Sequence, residues 1–288
     1  DEPINEIGFI IGDFGDAVEK ELLDIASSLG AKGKIYYQDV ALGTGHAIYC
    51  AEPSLTGPVI VAFADTLFRA DFKIDSNQDG TIWVKQIEDP SQFGVVKVNE
   101  IGAITDFVEK PKDFVSDLAI IGIYFFKDGD HLKRELKYLM DNNVVKGGEY
   151  QLTDALENMK QQGVVFRPGT VDHWMDCGNK NATVETNRMI LEFEKDHMMV
   201  SDSAKIENSI LIQPVQISDG ATIVNSVVGP HVSVGKNAKI NNARLSNSIV
   251  RSDSTINNAV IENSLIGMHT TVDLNAMDLS LGDFSTMN

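Results

Sequence analysis

Cysteine is scarce in this sequence. Only two cysteines, Cys50 and Cys177, occur among 288 residues. Two cysteines are too few for a disulfide framework, and no CxxC pair or Cys/His cluster indicates a zinc site. We therefore expect two reduced, buried thiols in a cytoplasmic protein. No apolar run approaches about 18 residues and no signal peptide is visible, so we expect no membrane-spanning helix.

Basic residues are also few. The 24 lysines and arginines face 42 aspartates and glutamates, which gives a formal net charge of −18. A surface this negative repels nucleic acid and anionic membranes, and we set both aside as main partners. A small anionic ligand would need local cations or a metal ion to offset the field.

Short apolar runs alternate with helical patterns up to residue 197. This alternation predicts an α/β domain over residues 1–197, with a mostly parallel sheet. Gly30 is a suitable end for the first helix and Thr153 is a suitable N-cap for the third. The predicted strands cover residues 7–11, 59–64, 81–87, 93–98, 119–126 and 164–169, and the predicted helices cover 14–30, 130–143 and 153–163.

The remaining part, residues 198–288, is predicted to be a second domain, and most of it is a repeat of 16 or 17 residues. Three blocks of 17 residues begin at residues 198, 215 and 232, and a 16-residue block follows at 249. Such self-similarity marks a solenoid. Asparagine recurs in these blocks and tolerates the left-handed backbone of tight corners. Residues 200–272 resemble the left-handed parallel β-helix built from hexapeptide repeats, which predicts a homo-oligomer. Residues 273–288 lack the pattern and are predicted to cap the coil or to contact a partner subunit.

A glycine loop, QDVALGTGHA, spans residues 38–47. It is not a P-loop, because no GK[ST] follows the glycines. Gly43 and Gly45 permit a close approach of the backbone to a flat ligand, and Gln38 offers one acceptor and two donors to a nucleobase edge. The alternative is an ordinary strand-to-helix turn.

Three other segments carry charged side chains that could contribute to a binding site. Asp65 ends the apolar run VIVAFAD, and Asp176 lies in HWMDCG. In VEKP, Lys110 is suited to a phosphate and Glu109 to sugar hydroxyls. Each motif alone also fits a turn carboxylate or a solvated surface pair.

In this order, these motifs resemble the sugar nucleotidyltransferases, the NDP-sugar pyrophosphorylases, over about residues 4–195. FGVV at 93–96 and GEYQLTDAL at 148–156 fit the same family. The resemblance implies a Rossmann-like nucleotidyltransferase domain that transfers a nucleotidyl group from an NTP, with dTTP or UTP favoured, to a sugar 1-phosphate. It implies nucleotide binding by Gln38, Leu42, Gly43 and Thr44, Mg²⁺ binding by Asp65 and Asp176, a sugar-phosphate site at Gly94, Glu109, Lys110 and Gly122, and catalytic roles for Asp65, Asp176 and Lys110.

The sequence departs from the family pattern at three places. Ala64 stands where the family has glycine, and Asp117 where many members have asparagine. The glycine-rich GxGTR…PK loop, which grips the triphosphate, is absent, and by the family pattern the chain starts near the second strand. We therefore expect an N-terminally incomplete domain, with unpaired strand edges and no turnover by these residues alone.

Two other functions stay open at this point. One is a non-catalytic regulatory or scaffold homologue, which the missing loop favours. The other is a bifunctional enzyme whose β-helix transfers an acyl group with His231 or His269 as the base. DSNQDG at 75–80 imitates the start of a calcium loop, but Gln86 stands at its twelfth position, and we predict a turn before a strand.

Overall fold

The computed structural model describes residues 4–70, 74–197 and 199–274. The chain forms two compact units, Asp1–Trp174 and Met175–Asn288. The predicted domain boundary after residue 197 lies later in the chain than this division, and it stays a prediction. The tail predicted to cap the coil lies almost wholly outside the described residues.

The first unit contains nine complete strands, the start of a tenth and four helices within the described residues. The first helix ends as predicted, with Gly30 in the left-handed conformation. The strands are β1 (Glu6–Ile11), β2 (Lys32–Tyr37), β3 (Val59–Ala62), β4 (Thr66–Arg69), β5 (Gly80–Gln86), β6 (Gly94–Val98), β7 (Ile104–Glu109), β8 (Leu118–Phe126), β9 (Phe166–Thr170) and β10 (His173–Asp176), and the helices are α1 (Asp16–Ser28), α2 (Thr44–Cys50), α3 (Gly129–Asp141) and α4 (Leu152–Gln161).

The main sheet is mixed, so the predicted mostly parallel sheet is wrong. Its strands run in the order β7-β6-β8-β5-β9, and β3 also pairs with β8. Every pairing in it is antiparallel except β5 with β9. The reason lies in the connections: β5 to β8 follow one another without a helix between them, and parallel neighbours need a long crossover.

Two of the predicted apolar strands, 7–11 and 59–64, are only partly buried. Within the described residues, β1 pairs only with β2, and β3 pairs only with β8. No residue of β1 is buried, and Ile60 in β3 is 45% exposed. A strand needs neighbours on both edges and both faces to become fully buried, and neither of these strands has them.

The core of the first unit lies between the sheet and two helices. α3 and α4 pack together, and Leu132, Leu136 and Leu156 are fully buried there. Phe126 and Phe166 from the sheet meet edge to face with ring centroids 6.2 Å apart. This packing fixes the start of α4, which contributes to the candidate site.

The second unit joins a helix to a parallel β-solenoid of about four coils. The helix is α5 (Lys180–Phe193), and it lies against two solenoid strands, β16 and β19. The strands are β11 (Lys205–Glu207), β12 (Ile210–Leu211), β13 (Val215–Ile217), β14 (Thr222–Val224), β15 (Val227–Val228), β16 (Val232–Val234), β17 (Lys239–Asn241), β18 (Arg244–Ser246), β19 (Ser248–Val250), β20 (Thr255–Asn257), β21 (Val260–Glu262), β22 (Leu265–Ile266) and β23 (Thr271–Asp273).

The register of the solenoid confirms the repeat read from the sequence. Three parallel sheets stack every third strand, and Ile223, Ile240 and Ile256 align in the buried interior. The corners adopt the left-handed conformation as expected. At one corner, asparagine fills this conformation in four successive coils, at 208, 225, 242 and 258. Among the described residues, no helix is long and apolar enough to cross a membrane.

Candidate active site

The predicted nucleobase loop is held against the segment that starts α4. Tyr150 donates its backbone N–H to the Leu42 carbonyl at 2.8 Å, and its own carbonyl accepts from Gly45 N at 2.8 Å. Gly43 has φ 101°, and a Cβ there would lie 2.6 Å from the Tyr150 oxygen. Only glycine fits at this position, because both the backbone conformation and the close approach exclude a side chain.

Gln38 is oriented by the same loop. Its Nε2 donates to the Gly43 carbonyl at 3.1 Å and lies 3.0 Å from His46 Nδ1. The Gly43 carbonyl can only accept, so the amide nitrogen points inward and Oε1 points the other way. Within the described residues, Oε1 accepts no hydrogen bond. The contact with His46 is part of what orients Gln38.

Residues 151–153 connect this loop to the predicted sugar-phosphate pair. Thr44 Oγ1 accepts the Leu152 N–H at 3.1 Å, and Thr153 Oγ1 donates to Glu109 Oε2 at 3.4 Å. The predicted N-cap role of Thr153 is wrong, because α4 already begins at Leu152 and Gln151 occupies the cap position. Thr153 is buried and uses its hydroxyl for Glu109 instead.

Glu109 lies opposite Gly94 in the β6–β7 pair. A Cβ at Gly94 would lie 3.0 Å from Glu109 Oε2, so the absence of a side chain at Gly94 makes room for the carboxylate. Burial raises the pKa of Glu109, while the Lys110 charge and the Thr153 hydroxyl oppose that shift. Glu109 is therefore a hydrogen-bond acceptor in a partly desolvated position.

Lys110 follows at the strand end with a left-handed backbone, φ 41°. Its N–H donates to the Phe93 carbonyl at 3.1 Å, which fixes the turn. The side chain is exposed, and its Nζ has no hydrogen bond or ion pair in the part of the chain that the structure describes. A free ammonium group beside Glu109 is suited to a phosphate.

Asp65 lies in a tight turn that β8 supports. Thr66 N donates to the Phe63 carbonyl at 3.3 Å, and Phe63 N donates to the Gly122 carbonyl at 2.9 Å. Thr66 Oγ1 also donates to the Ile121 carbonyl at 2.9 Å. Gly122, predicted at the sugar-phosphate site, contacts this turn: a Cβ on it would lie 2.9 Å from the Phe63 ring. Asp65 itself is exposed, and its carboxylate has no partner among residues 4–70, 74–197 and 199–274.

Asp176 is the last residue of β10, and the chain continues from it through a short turn into α5. Its Oδ1 accepts the Gly178 N–H at 3.0 Å, and its backbone carbonyl accepts from Thr186 Oγ1 at 2.7 Å. Oδ2 has no partner in the described parts of the chain. Asp65 and Asp176 thus each keep oxygen atoms available, and carboxylate oxygen is the ligand that Mg²⁺ takes in small numbers beside phosphate and water.

Larger metal-binding clusters are not found. No group of three or more histidine, cysteine, aspartate or glutamate side chains gathers among the described residues. Cys50 and Cys177 are not joined by a disulfide and are only partly buried, so the prediction that both thiols are buried is wrong. DSNQDG forms the predicted turn, with Asp75 Oδ1 accepting from Asn77 N at 3.0 Å before β5 begins.

Comparison with protein families decides the relationship. The family model described as "Nucleotidyl transferase" matches residues 1–192, and a model described as "GlmU-like, C-terminal hexapeptide" matches residues 195–246. The chain belongs to the nucleotidyl transferase family. Members of this family act on nucleoside triphosphates and sugar 1-phosphates and generally use a divalent metal. The family prediction made from the sequence is therefore confirmed, as is the hexapeptide-type solenoid.

Individual relatives agree with this family. Glucose-1-phosphate thymidylyltransferase from Streptomyces antibioticus is 28% identical over 275 residues, covering 87% of this chain and 75% of the relative. The low-salt glycan biosynthesis nucleotidyltransferase Agl11 from Haloferax volcanii is 30% identical over 281 residues, covering 88% and 76%. A solved structure of a putative glucose-1-phosphate thymidylyltransferase from Bacillus anthracis shares the fold, with TM-score 0.51 and 21% identity over 63% of this chain and 74% of that one.

Proposed function

We propose that this family member transfers a nucleotidyl group from dTTP or UTP to a sugar 1-phosphate and releases pyrophosphate. The observation that carries the proposal is the continuous contact from the nucleobase loop to the sugar-phosphate pair. Thr44 bonds Leu152, and the next residue, Thr153, bonds Glu109. One rigid helix start therefore sets the distance between a base-binding loop and an acceptor for sugar hydroxyls, as a two-substrate transferase requires.

The orientation of Gln38 supports a base that carries an N–H at its ring edge, as uracil and thymine do. The free Oε1 of Gln38 is an acceptor, since Nε2 is bound to Gly43 and faces His46. Uracil and thymine present a ring N3–H donor, whereas cytosine presents an acceptor at that atom. The thymidylyltransferase names of the Streptomyces relatives agree with this choice.

The reaction needs positioned charge more than it needs a protein nucleophile. An oxygen of the sugar 1-phosphate attacks the α-phosphorus, the bond from that phosphorus to the bridging oxygen of the β-phosphate breaks, and pyrophosphate leaves with the electron pair. The Lys110 ammonium offsets part of the charge on the attacking phosphate, and Glu109 orients the sugar. Asp65 and Asp176 are proposed to hold Mg²⁺, which supplies positive charge to the phosphates when bound.

A binding panel tests substrate choice without requiring turnover. The thermal unfolding midpoint Tm of the chain is measured with each NTP, each NDP-glucose and several sugar 1-phosphates, with and without Mg²⁺. A ligand present at about 100 times its dissociation constant adds about 2.7 kcal/mol to the free energy of unfolding. This raises Tm by about 5–10 °C in a unit of this size. We expect shifts from dTTP or UTP and their NDP-glucoses. Shifts from ATP or GTP alone would overturn the proposed base, and no shift from any compound would overturn the function.

Substitution of the first proposed metal ligand tests the chemistry. Asp65→Asn keeps the turn but replaces a metal-binding carboxylate with an amide. We expect NDP-sugar formation to fall by about 100-fold or more. Replacing a group that only orients a metal ligand already costs up to about 100-fold, and Asp65 is proposed to bind the metal directly. The assay follows pyrophosphate release and NDP-sugar by chromatography with the full-length gene product, because no turnover is expected from residues 1–288 alone.

The matched control is Asp75→Asn, the same substitution in another turn. Asp75 accepts hydrogen bonds from Asn77 and lies outside the candidate site. D75N should keep activity within about twofold. Equal losses in both variants, or full activity in D65N, would contradict the role of Asp65.

A further inference from the structure

Asp176 belongs structurally to the solenoid unit. The division of the chain falls between Trp174 and Met175, so Asp176, α5 and the solenoid lie in one compact unit. The family model for the transferase part nevertheless extends through residue 192 and includes Asp176. A residue that the transferase family model includes thus also makes contacts within the compact unit that contains the solenoid.

The backbone of Asp176 is tied to α5 by side chains of that helix. Thr186 Oγ1 donates to the Asp176 carbonyl at 2.7 Å, and Thr183 Oγ1 donates to the Cys177 carbonyl at 3.1 Å. Asn179 caps the helix through the Ala182 N–H at 3.0 Å. Thr186 is buried. α5 therefore holds the backbone of Asp176 and Cys177 from the C-terminal side of β10.

Polar contacts from three α5 residues, Lys180, Asn187 and Glu192, fix the helix on the solenoid in turn. Glu192 Oε1 lies 2.7 Å from His231 Nε2, and Ser233 Oγ donates to Asn187 Oδ1 at 2.6 Å. Lys180 Nζ donates to the Asn263 carbonyl at 2.9 Å. The bond from His231 lowers the pKa of Glu192, as expected for a carboxylate that accepts a hydrogen bond. The contacts span both ends of the helix, so they fix its direction as well as its distance.

We infer that the solenoid positions Asp176 for metal binding through α5, with Glu192, His231 and Thr186 as positioning residues. The inference rests on the proposed function only in giving Asp176 a metal to bind. It gives the solenoid a structural task within its own unit, beyond subunit assembly. The residues act through the backbone of Asp176, as groups that support a metal ligand do elsewhere.

The test separates positioning from catalysis by two measurements that need no turnover. Amide hydrogen exchange of residues 176–186 reports how firmly the Asp176 segment is held. Binding of Mn²⁺ alone, followed by water proton relaxation, reports the metal site. For Glu192→Ala and His231→Asn we expect both the exchange rates and the Mn²⁺ dissociation constant to rise about fivefold or more, as for a modest coupling between sites. Asparagine is chosen at 231 because it tolerates the left-handed backbone there.

Matched controls lie close by in the chain. Glu192→Gln keeps an acceptor oxygen and should restore most of the loss seen in E192A. Glu194→Ala removes a carboxylate that pairs with His197 instead, and His269→Asn changes an exposed histidine at another left-handed corner. Both of these should stay within about twofold of the wild type.

A second pair covers the case in which the solenoid variants fail to fold. Thr186→Val removes only the hydroxyl that holds the Asp176 carbonyl, and Thr186→Ser keeps it. T186V should reproduce the exchange and Mn²⁺ effects, and T186S should not. Unchanged exchange at 176–186 in E192A, H231N and T186V would overturn the inference. If the wild type binds no Mn²⁺, the metal part of the proposed function fails, while the exchange comparison still decides whether the solenoid holds Asp176.

Discussion

Glu109 shows at the scale of one residue how a binding role costs stability. Its carboxylate is partly desolvated beside Gly94 and Thr153, and burial raises its pKa. A carboxyl group with a raised folded-state pKa binds more protons in the folded state than in the unfolded state. Stability is therefore greatest below the unfolded value and falls as pH rises through the folded value.

Replacing Glu109 with glutamine removes this titration. We expect E109Q to flatten the fall in unfolding free energy with rising pH. At pH 8 it should be about 0.5–2 kcal/mol more stable than the wild type, the usual gain when a functional group is neutralised, and its transferase activity should fall. Urea unfolding at several pH values measures the effect.

Glu100→Gln is the matched comparison for Glu109, because Glu100 is an exposed residue in the loop after β6. Its unfolding free energy should follow that of the wild type within about 0.5 kcal/mol at each pH. A stability of E109Q that falls with pH as steeply as the wild type would contradict the assignment.

At the scale of the element, the solenoid corners depend on residues that accept a left-handed backbone. Asn225 has φ 49°, and its Oδ1 accepts from Asn208 Nδ2 at 2.7 Å in the neighbouring coil. Asn225→Ala should lower the free energy of unfolding by about 2–3 kcal/mol, because alanine is strained in the left-handed conformation and the hydrogen bond is lost. Asn225→Gly relieves the strain and should cost only about 1 kcal/mol. Chemical denaturation compares the two, and equal losses would show that the backbone conformation is not the cause.

How much of these elements a sequence predicts depends on the range of the interactions. The apolar runs place six strands within a few residues, and the 17-residue period predicts the solenoid register, because both patterns are local. Sheet direction was mispredicted because it depends on which strands meet. The site depends on longer contacts: Thr153 reaches Glu109 44 residues away, and Thr44 meets Leu152 108 residues away. A good N-cap residue at 153 was therefore misread, because its hydroxyl is used by a distant partner.

At the scale of the whole molecule, the three outer faces of the solenoid differ in chemistry. α5 covers the face with β16 and β19. The face with β11 presents lysines and threonines, at 205, 222, 239, 255 and 271. The remaining face, with β12, aligns Ile210, Val227, Arg244 and Val260 in one outward column. Ile210 is 61% exposed and Val260 is 78% exposed, an apolar pattern that favours contact with another subunit.

We expect the protein to be a homo-oligomer that associates through this last face. Val260→Asp places a new charge there in an already acidic chain, and in a symmetric pair the charge enters the interface twice. Like charges placed together in the interface weaken subunit association by several kcal/mol. We therefore expect the dissociation constant of the oligomer to rise about 100-fold or more. Light scattering over a concentration series should then show V260D shifting towards single chains, while Thr255→Asp on the polar face keeps the wild-type mass. A wild type that scatters as a single chain would contradict the oligomer, and dissociation by T255D instead would move the contact to the other face.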